Sequence, residues 1–222
     1  MEIRKLQVSI DKETAFQLMD CRKDNPLYEE MEILYEELNS DLKKLIAPEM
    51  ILGFCDAKGL FGEKSVWAGK EFALVLCTLG DKISRYISDL FGNGEYLKGT
   101  LADAMADSCL FSVEEEWKEI LRGECRRRKR GIAKRMEAPG DFPTENHKRL
   151  WELLEGEQIG VTLTSGYMFE PVKTCGYLFL LSKDCGDNNV DHDCSRCENR
   201  NCILRKTNNK TTDSEKSVLL KL

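Results

Sequence analysis

Phe72-Ala-Leu-Val-Leu-Cys-Thr-Leu79, closed by Gly80, is the stretch that decides the fold. The run is short, almost wholly apolar, partly β-branched and stopped by a glycine, so it predicts a buried strand near the centre of a sheet. Beyond it, Ile83, Tyr86, Ile87 and Leu90 recur at helical spacing behind Asp81, a residue suited to capping, and Gly92-Asn93-Gly94 ends that helix. A second long helix carries Leu97, Leu101, Met105, Phe111, Trp117, Ile120 and Leu121, and a break in its period near Ser112 predicts a kink or two pieces. On the N-terminal side, Leu27, Met31, Leu34, Leu38, Leu42 and Leu45 alternate three and four apart, as in an amphipathic helix, with Pro48 marking its end.

Downstream, Pro143 and Thr144 open a helix containing Leu150, Leu153 and Leu154. The period then changes to two at Ile159, Val161 and Leu163, and a further apolar run extends from Tyr177 to Leu181; these predict two strands joined through Pro171. After Ser182 the chain turns to Asp, Asn, Lys and Thr with few large apolar residues, which places a boundary near Lys183.

A chain of 222 residues that is 41% hydrophobic can bury one good core and leaves little for a second full domain. Its net charge of −6 argues against a general nucleic-acid binder. No stretch approaches the roughly 20 apolar residues that span a bilayer, and Met1-Glu-Ile-Arg-Lys5 lacks the apolar core of a secretory signal, so a cytoplasmic protein without membrane contact is expected.

Of ten cysteines, Cys185, Cys194, Cys197 and Cys202 crowd together, and the other six read as packing residues. Cys194-Ser-Arg-Cys197 followed by Cys202 is C-x2-C-x4-C, and Cys185 is near enough to give a fourth thiolate, with His192 as a substitute. Such a set suits a tetrahedral zinc ion or an iron–sulfur cluster, since both take soft sulfur donors from short loops. A zinc knuckle would fold a tail too polar to fold unaided, whereas a cluster would pass one electron.

Two further features stand out. Arg126, Arg127, Arg128, Lys129 and Arg130, with Lys134 and Arg135 close behind, form an anion-seeking segment or simply a solvated helix end favoured by the helix dipole. Next, Glu137-Ala138-Pro139-Gly140-Asp141-Phe142-Pro143 makes a turn whose backbone amides, just ahead of a helix, are suited to an anion or carboxylate. The histidines are His147 and His192; neither has an evident nucleophile partner, and His147 reads as a solvated helix residue.

The order of segments from Phe72 to Leu181 resembles the reactivation domain of cobalamin-dependent methionine synthase and its free-standing bacterial relatives. The matching pieces are Phe72–Gly80, Leu101-Ala-Asp-Ala-Met-Ala-Asp107, Ala138-Pro-Gly-Asp-Phe-Pro143, and Leu150-Trp-Glu-Leu-Leu154 running through Ile159-Gly-Val-Thr-Leu-Thr164 to Tyr167-Met-Phe-Glu-Pro171. The fold expected is α+β, a mixed, mainly antiparallel sheet with long flanking helices over residues 1–182, followed by a Cys-rich metal-binding tail over 183–222.

The resemblance implies an accessory that docks on a corrinoid-carrying protein or methionine synthase subunit and restores its methylcobalamin, using one electron and a methyl group from S-adenosylmethionine. The family signature is an Arg, three residues, then Gly-Tyr. Here the Gly is Gly140, the strict Arg position is Met136, Arg135 lies one residue early, and the Tyr position is Asp141. Arg135, Pro139, Gly140 and Tyr167 are thus the ligand-site candidates the resemblance implies, with no catalytic residue assigned. Iron–sulfur is favoured in the tail because reactivation needs a low-potential electron. The competing expectation is a non-catalytic partner-binding module with a decayed S-adenosylmethionine pocket and a structural zinc.

Overall fold

In this computed structural model, which describes residues 1–205, five strands form one antiparallel sheet. Its middle member is β3 (Glu71–Thr78). One side pairs with β2 (Glu49–Asp56), Ile51 facing Leu76 and Phe54 facing Ala73; the other pairs with β7 (Thr174–Ser182), Val75 facing Tyr177 and Cys77 facing Cys175. β1 (Glu2–Lys5) and β4 (Gly131–Met136) form the edges, giving the order β1-β2-β3-β7-β4.

The apolar run is continuous rather than alternating because both faces of the sheet are covered. Ala73, Val75 and Cys77 point into one core and Phe72, Leu74 and Leu76 into the other, so every position is buried. Gly80 ends the run at φ +86, a conformation that side chains with a Cβ rarely adopt.

The first core lies under α1 (Lys12–Leu18), α2 (Tyr28–Leu45), α4 (Asp81–Gly92) and α5 (Tyr96–Arg127). The second lies under α3 (Ala57–Phe61), α6 (Asn146–Leu154) and a small hairpin of β5 (Thr162–Leu163) and β6 (Phe169–Glu170). The expected α+β class with a mainly antiparallel sheet is what the structure shows.

Several details differ from the sequence expectation. α5 is one helix with no break at Ser112, whose hydroxyl donates to the Ser108 carbonyl at 3.1 Å. Its apolar stripe is broad because the helix packs against α1, α2, α4 and β4. Gly80, not Asp81, occupies the cap of α4, and Asp81 instead pairs with Arg85 at 2.5 Å. α6 starts at Asn146 rather than at Pro143, and Gly156–Ile159 form a 3-10 turn, leaving only Thr162–Leu163 as strand. His147 is 9% exposed rather than solvated, for a reason given below.

The chain divides into two compact units, Met1–Asp191 and a second beginning at His192. Residues 184–191 run along the outer edge of β4, where the Ile132 amide donates to the Asp187 carbonyl at 2.9 Å and the Asn189 amide to the Ile132 carbonyl at 2.8 Å. The part of the cysteine tail beyond Arg205 lies outside the described residues. Among the described residues, no helix is long and apolar enough to cross a membrane.

Candidate ligand turn and cysteine loop

α5 carries Asp103, Asp107, Glu114 and Lys118 at steps of four and seven, which on a helix is one stripe. Opposite it stand Arg135 from β4, Tyr177 from β7 and Lys173 just before β7. Arg135 is the centre of this seam. Its side chain is 6% exposed, contacts Glu114 Oε1 through Nη1 at 2.6 Å and Glu137 Oε1 through Nε at 2.5 Å, and lies 4.1 Å from the Tyr177 ring centroid. Glu114 also pairs with Lys118 at 2.8 Å, and Lys118, 3% exposed, reaches Asp191 at 2.8 Å.

Burial pushes the Glu114 carboxyl up, but the bonds to Arg135 and Lys118 outweigh it and hold the group below the usual carboxylate range. Burial likewise disfavours the Lys118 ammonium, and Asp191 and Glu114 more than restore it. Two turns of the stripe earlier, Lys173 pairs with Asp103 at 2.8 Å and Asp107 at 2.7 Å. There the balance reverses: burial raises the Asp107 carboxyl despite the Lys173 bond.

The Pro-Gly turn is closed on itself. Asp141, at the position where the family signature has Tyr, accepts from the Glu137 amide at 3.1 Å and pairs with Lys134, while the Asp141 amide donates to the Glu137 carbonyl at 2.8 Å. The first amides near α6 are also used: Asn146 and His147 donate to the Pro143 and Thr144 carbonyls. An anion held by these amides would therefore displace existing bonds. Gly140 leaves its own surface open, since a Cβ there would meet only the Glu137 carbonyl oxygen at 3.9 Å. Pro139 follows a cis peptide bond.

Tyr167 sits at the tip of the β5–β6 hairpin with φ +61 and is 36% exposed, so it does not serve as packing between two long strands. Its carbonyl accepts from His147 Nδ1 at 2.9 Å; the His147 ring lies 4.5 Å from that of Phe169 and 6.1 Å from that of Phe142. His147 thereby ties α6, the turn and the hairpin together, which explains its burial. The structure joins Arg135 to the turn through Glu137, and Tyr167 to the turn through His147 and Phe142. Sequence reasoning missed Glu114, Glu137 and Tyr177; the four-residue spacing of Glu114 and Lys118 was the available signal.

Cys185 is exposed and belongs to the first unit, whereas Cys194, Cys197 and Cys202 are half-buried in the second. In the second unit the Arg205 guanidinium binds the carbonyls of Cys194, of Cys197 at 2.9 Å and of Asn199 at 2.7 Å, curling the loop. A side-chain bond from His192 and the Asn199 backbone lower the Cys197 thiol. Thiols and an imidazole are the right donors for zinc or iron, but among the described residues no three such groups stand where one ion would bind them. The other six cysteines are buried or half-buried, as packing residues are.

The molecule thus defines a mixed α+β domain with a helix-backed antiparallel sheet and a polar cysteine loop. No protein-family model and no curated protein matches the chain. Among solved structures, it is similar to the MetH reactivation domain bound to AdoHcy, with a TM-score of 0.57 and 15% identity, covering 87% of this chain and 82% of that one. Identity this low shows a shared fold.

Proposed function

We propose that the chain is an accessory to a corrinoid-carrying protein or methionine synthase subunit, assisting the reduction or remethylation of its cob(II)alamin with S-adenosylmethionine as methyl donor. The observation that supports this most is the architecture shared with the MetH reactivation domain over 87% of the chain. The cofactor and the sulfonium supply the methyl chemistry, and the protein's part is binding and orientation. In this reading Arg135 takes the carboxylate of the methionine moiety, Pro139 and Gly140 offer the open surface of the turn, and the Tyr167 hairpin flanks it.

Arg135 is already engaged by two carboxylates, so a ligand carboxylate has to replace one of them. Glu137 is the more exposed of the two, and the one that can swing into water. The same pairing favours a second reading, in which the pocket has decayed and the chain only binds a partner. In either case Cys194, Cys197 and Cys202, with His192 as fourth ligand, would hold a metal, iron–sulfur in the first reading and zinc in the second; the curled loop must close further to do so.

Titration of the full chain with S-adenosylhomocysteine, followed by calorimetry, separates the readings. Binding that strengthens about tenfold in Glu137→Gln and is lost in Arg135→Gln is expected if the ligand carboxylate exchanges with Glu137. Absence of binding to both the native chain and Glu137→Gln sinks the S-adenosylmethionine role. Metal analysis of anaerobically purified protein, with and without Cys194→Ala and Cys197→Ala, decides between iron with labile sulfide and zinc.

A further inference from the structure

The basic segment at the end of α5 opens onto a cavity that the proposed function does not use. The helix stops at Arg127, the Arg130 amide donates to the Cys125 carbonyl at 2.9 Å, and Lys129 turns the chain at φ +55. This places Arg128 and Arg130 on the wall of a cavity of about 410 Å³, whose other walls are Phe54, Phe72, Leu181, Cys55, Asp56 and Glu71. That size lies within the range of small-molecule sites.

The charges in the cavity are unequally committed. Arg130 holds Glu71 through two bonds, Nε to Oε2 at 2.6 Å and Nη2 to Oε1 at 3.1 Å. Asp56 accepts from the Gly59 amide at 2.8 Å and so caps α3. The Arg128 guanidinium carbon lies over the Phe54 ring, 3.8 Å from its centroid, and among the described residues it has no carboxylate within ion-pair distance. The cation–π contact holds the group in place while leaving N–H groups to be satisfied by water or ligand. Arg126 and Lys129 add positive potential beside it, whereas Arg127 is paired with Glu124. The negative end of the helix dipole, about half a charge, opposes an anion here but is outnumbered by these cations.

We propose that this cavity binds a small organic phosphate, with the phosphate on Arg128 and a small apolar body along Phe54 and the edge of Leu181. A phosphate draws more from clustered cations than a singly charged carboxylate does, and the fork of the guanidinium matches its oxygens. The binding is non-covalent: burial pushes the Cys55 thiol up to about 11, so it stays protonated at neutral pH. This site is separate from the Arg135 turn and stands whether or not S-adenosylmethionine binds there.

The probes are phenyl phosphate, inorganic phosphate and phenol, titrated calorimetrically into the full chain at low salt. Phenyl phosphate is expected to bind at least about tenfold more tightly than inorganic phosphate, and phenol not measurably. Arg128→Lys, which keeps the charge but loses the fork and the stacking, should weaken phenyl phosphate about tenfold, and Arg126→Ala with Arg127→Ala less than about threefold. The proposal is overturned by equal affinity for the two phosphates, by no binding of either, or by a loss in Arg126→Ala, Arg127→Ala as large as that in Arg128→Lys, which would mark a diffuse basic surface.

Discussion

The seam between α5, β4 and β7 and the loop that begins at His192 both hold polar groups in place, and they do so by opposite means. In the seam, Arg135, Glu114 and Lys118 are withdrawn from water and satisfied by one another, with Trp117, Tyr177 and Phe179 packed around them. In the loop, little apolar surface is buried and a single guanidinium, that of Arg205, gathers backbone carbonyls. A buried ion pair set in an apolar wall is costly to break, because the surviving partner has nowhere to find water. A solvated loop gathered by one cation gives way locally and cheaply. The first arrangement fixes a surface by burial, and the second holds a loop by backbone contacts to one side chain.

Breaking the seam is therefore the larger effect expected of these two regions. Glu114→Ala removes the carboxylate that Arg135 and Lys118 share, leaving them Glu137 and Asp191, and should lower the unfolding free energy by ~2–3 kcal/mol in a denaturant titration. Replacing both members of the pair, Glu114→Leu with Arg135→Met, should recover most of that loss, because two apolar side chains need no partner. A loss below ~1 kcal/mol for Glu114→Ala would mean that water reaches the seam, and the contrast with the loop would fail.

The sequence disclosed these regions unequally, and the reason is physical. Phe72–Leu79 was legible as a central strand because burial on both faces leaves a continuous apolar signature. β2 is less legible although Pro48 precedes it: Gly53 splits Met50, Ile51 and Leu52 from Phe54, and no glycine closes the run as Gly80 closes β3. Arg135 was visible as a candidate, but its partners were not. Glu114 looks like any other acid on a charged helix until β4 is laid across it. His147 misled for the same reason, since its two aromatic neighbours, Phe142 and Phe169, come from different elements. Residues that act within one segment can be read from sequence; residues that act across segments need the fold.

The loop should respond to a different perturbation and over a smaller span. If Cys194, Cys197 and Cys202 hold a metal, removing it with a chelator should raise amide hydrogen exchange across residues 194–205 by about tenfold, or ~1.4 kcal/mol of local stability, and leave the unfolding midpoint of the sheet unchanged. Exchange that is identical before and after chelation would show that Arg205 alone organises the loop. A fall in the midpoint of the sheet would show that loop and domain share their stability, contrary to the division at His192.

The smallest effect sharpens the comparison by pH. His147 lies within the first unit against two aromatic rings and the Tyr167 carbonyl; burial lowers its pKa, and the bond to that carbonyl only partly opposes the shift. A folded-state pKa below the unfolded value of about 6.5 means that the unfolded chain binds the proton first, so stability is complete above about pH 6.5 and declines as pH falls toward the folded value. The unfolding free energy should slope downward on acidification in this window, before the carboxylates titrate. The slope should be absent in His147→Gln and unchanged in His192→Gln, since His192 stands in the loop. Dependence on His192 instead would move the pH sensitivity from the packed hairpin to the cysteine loop.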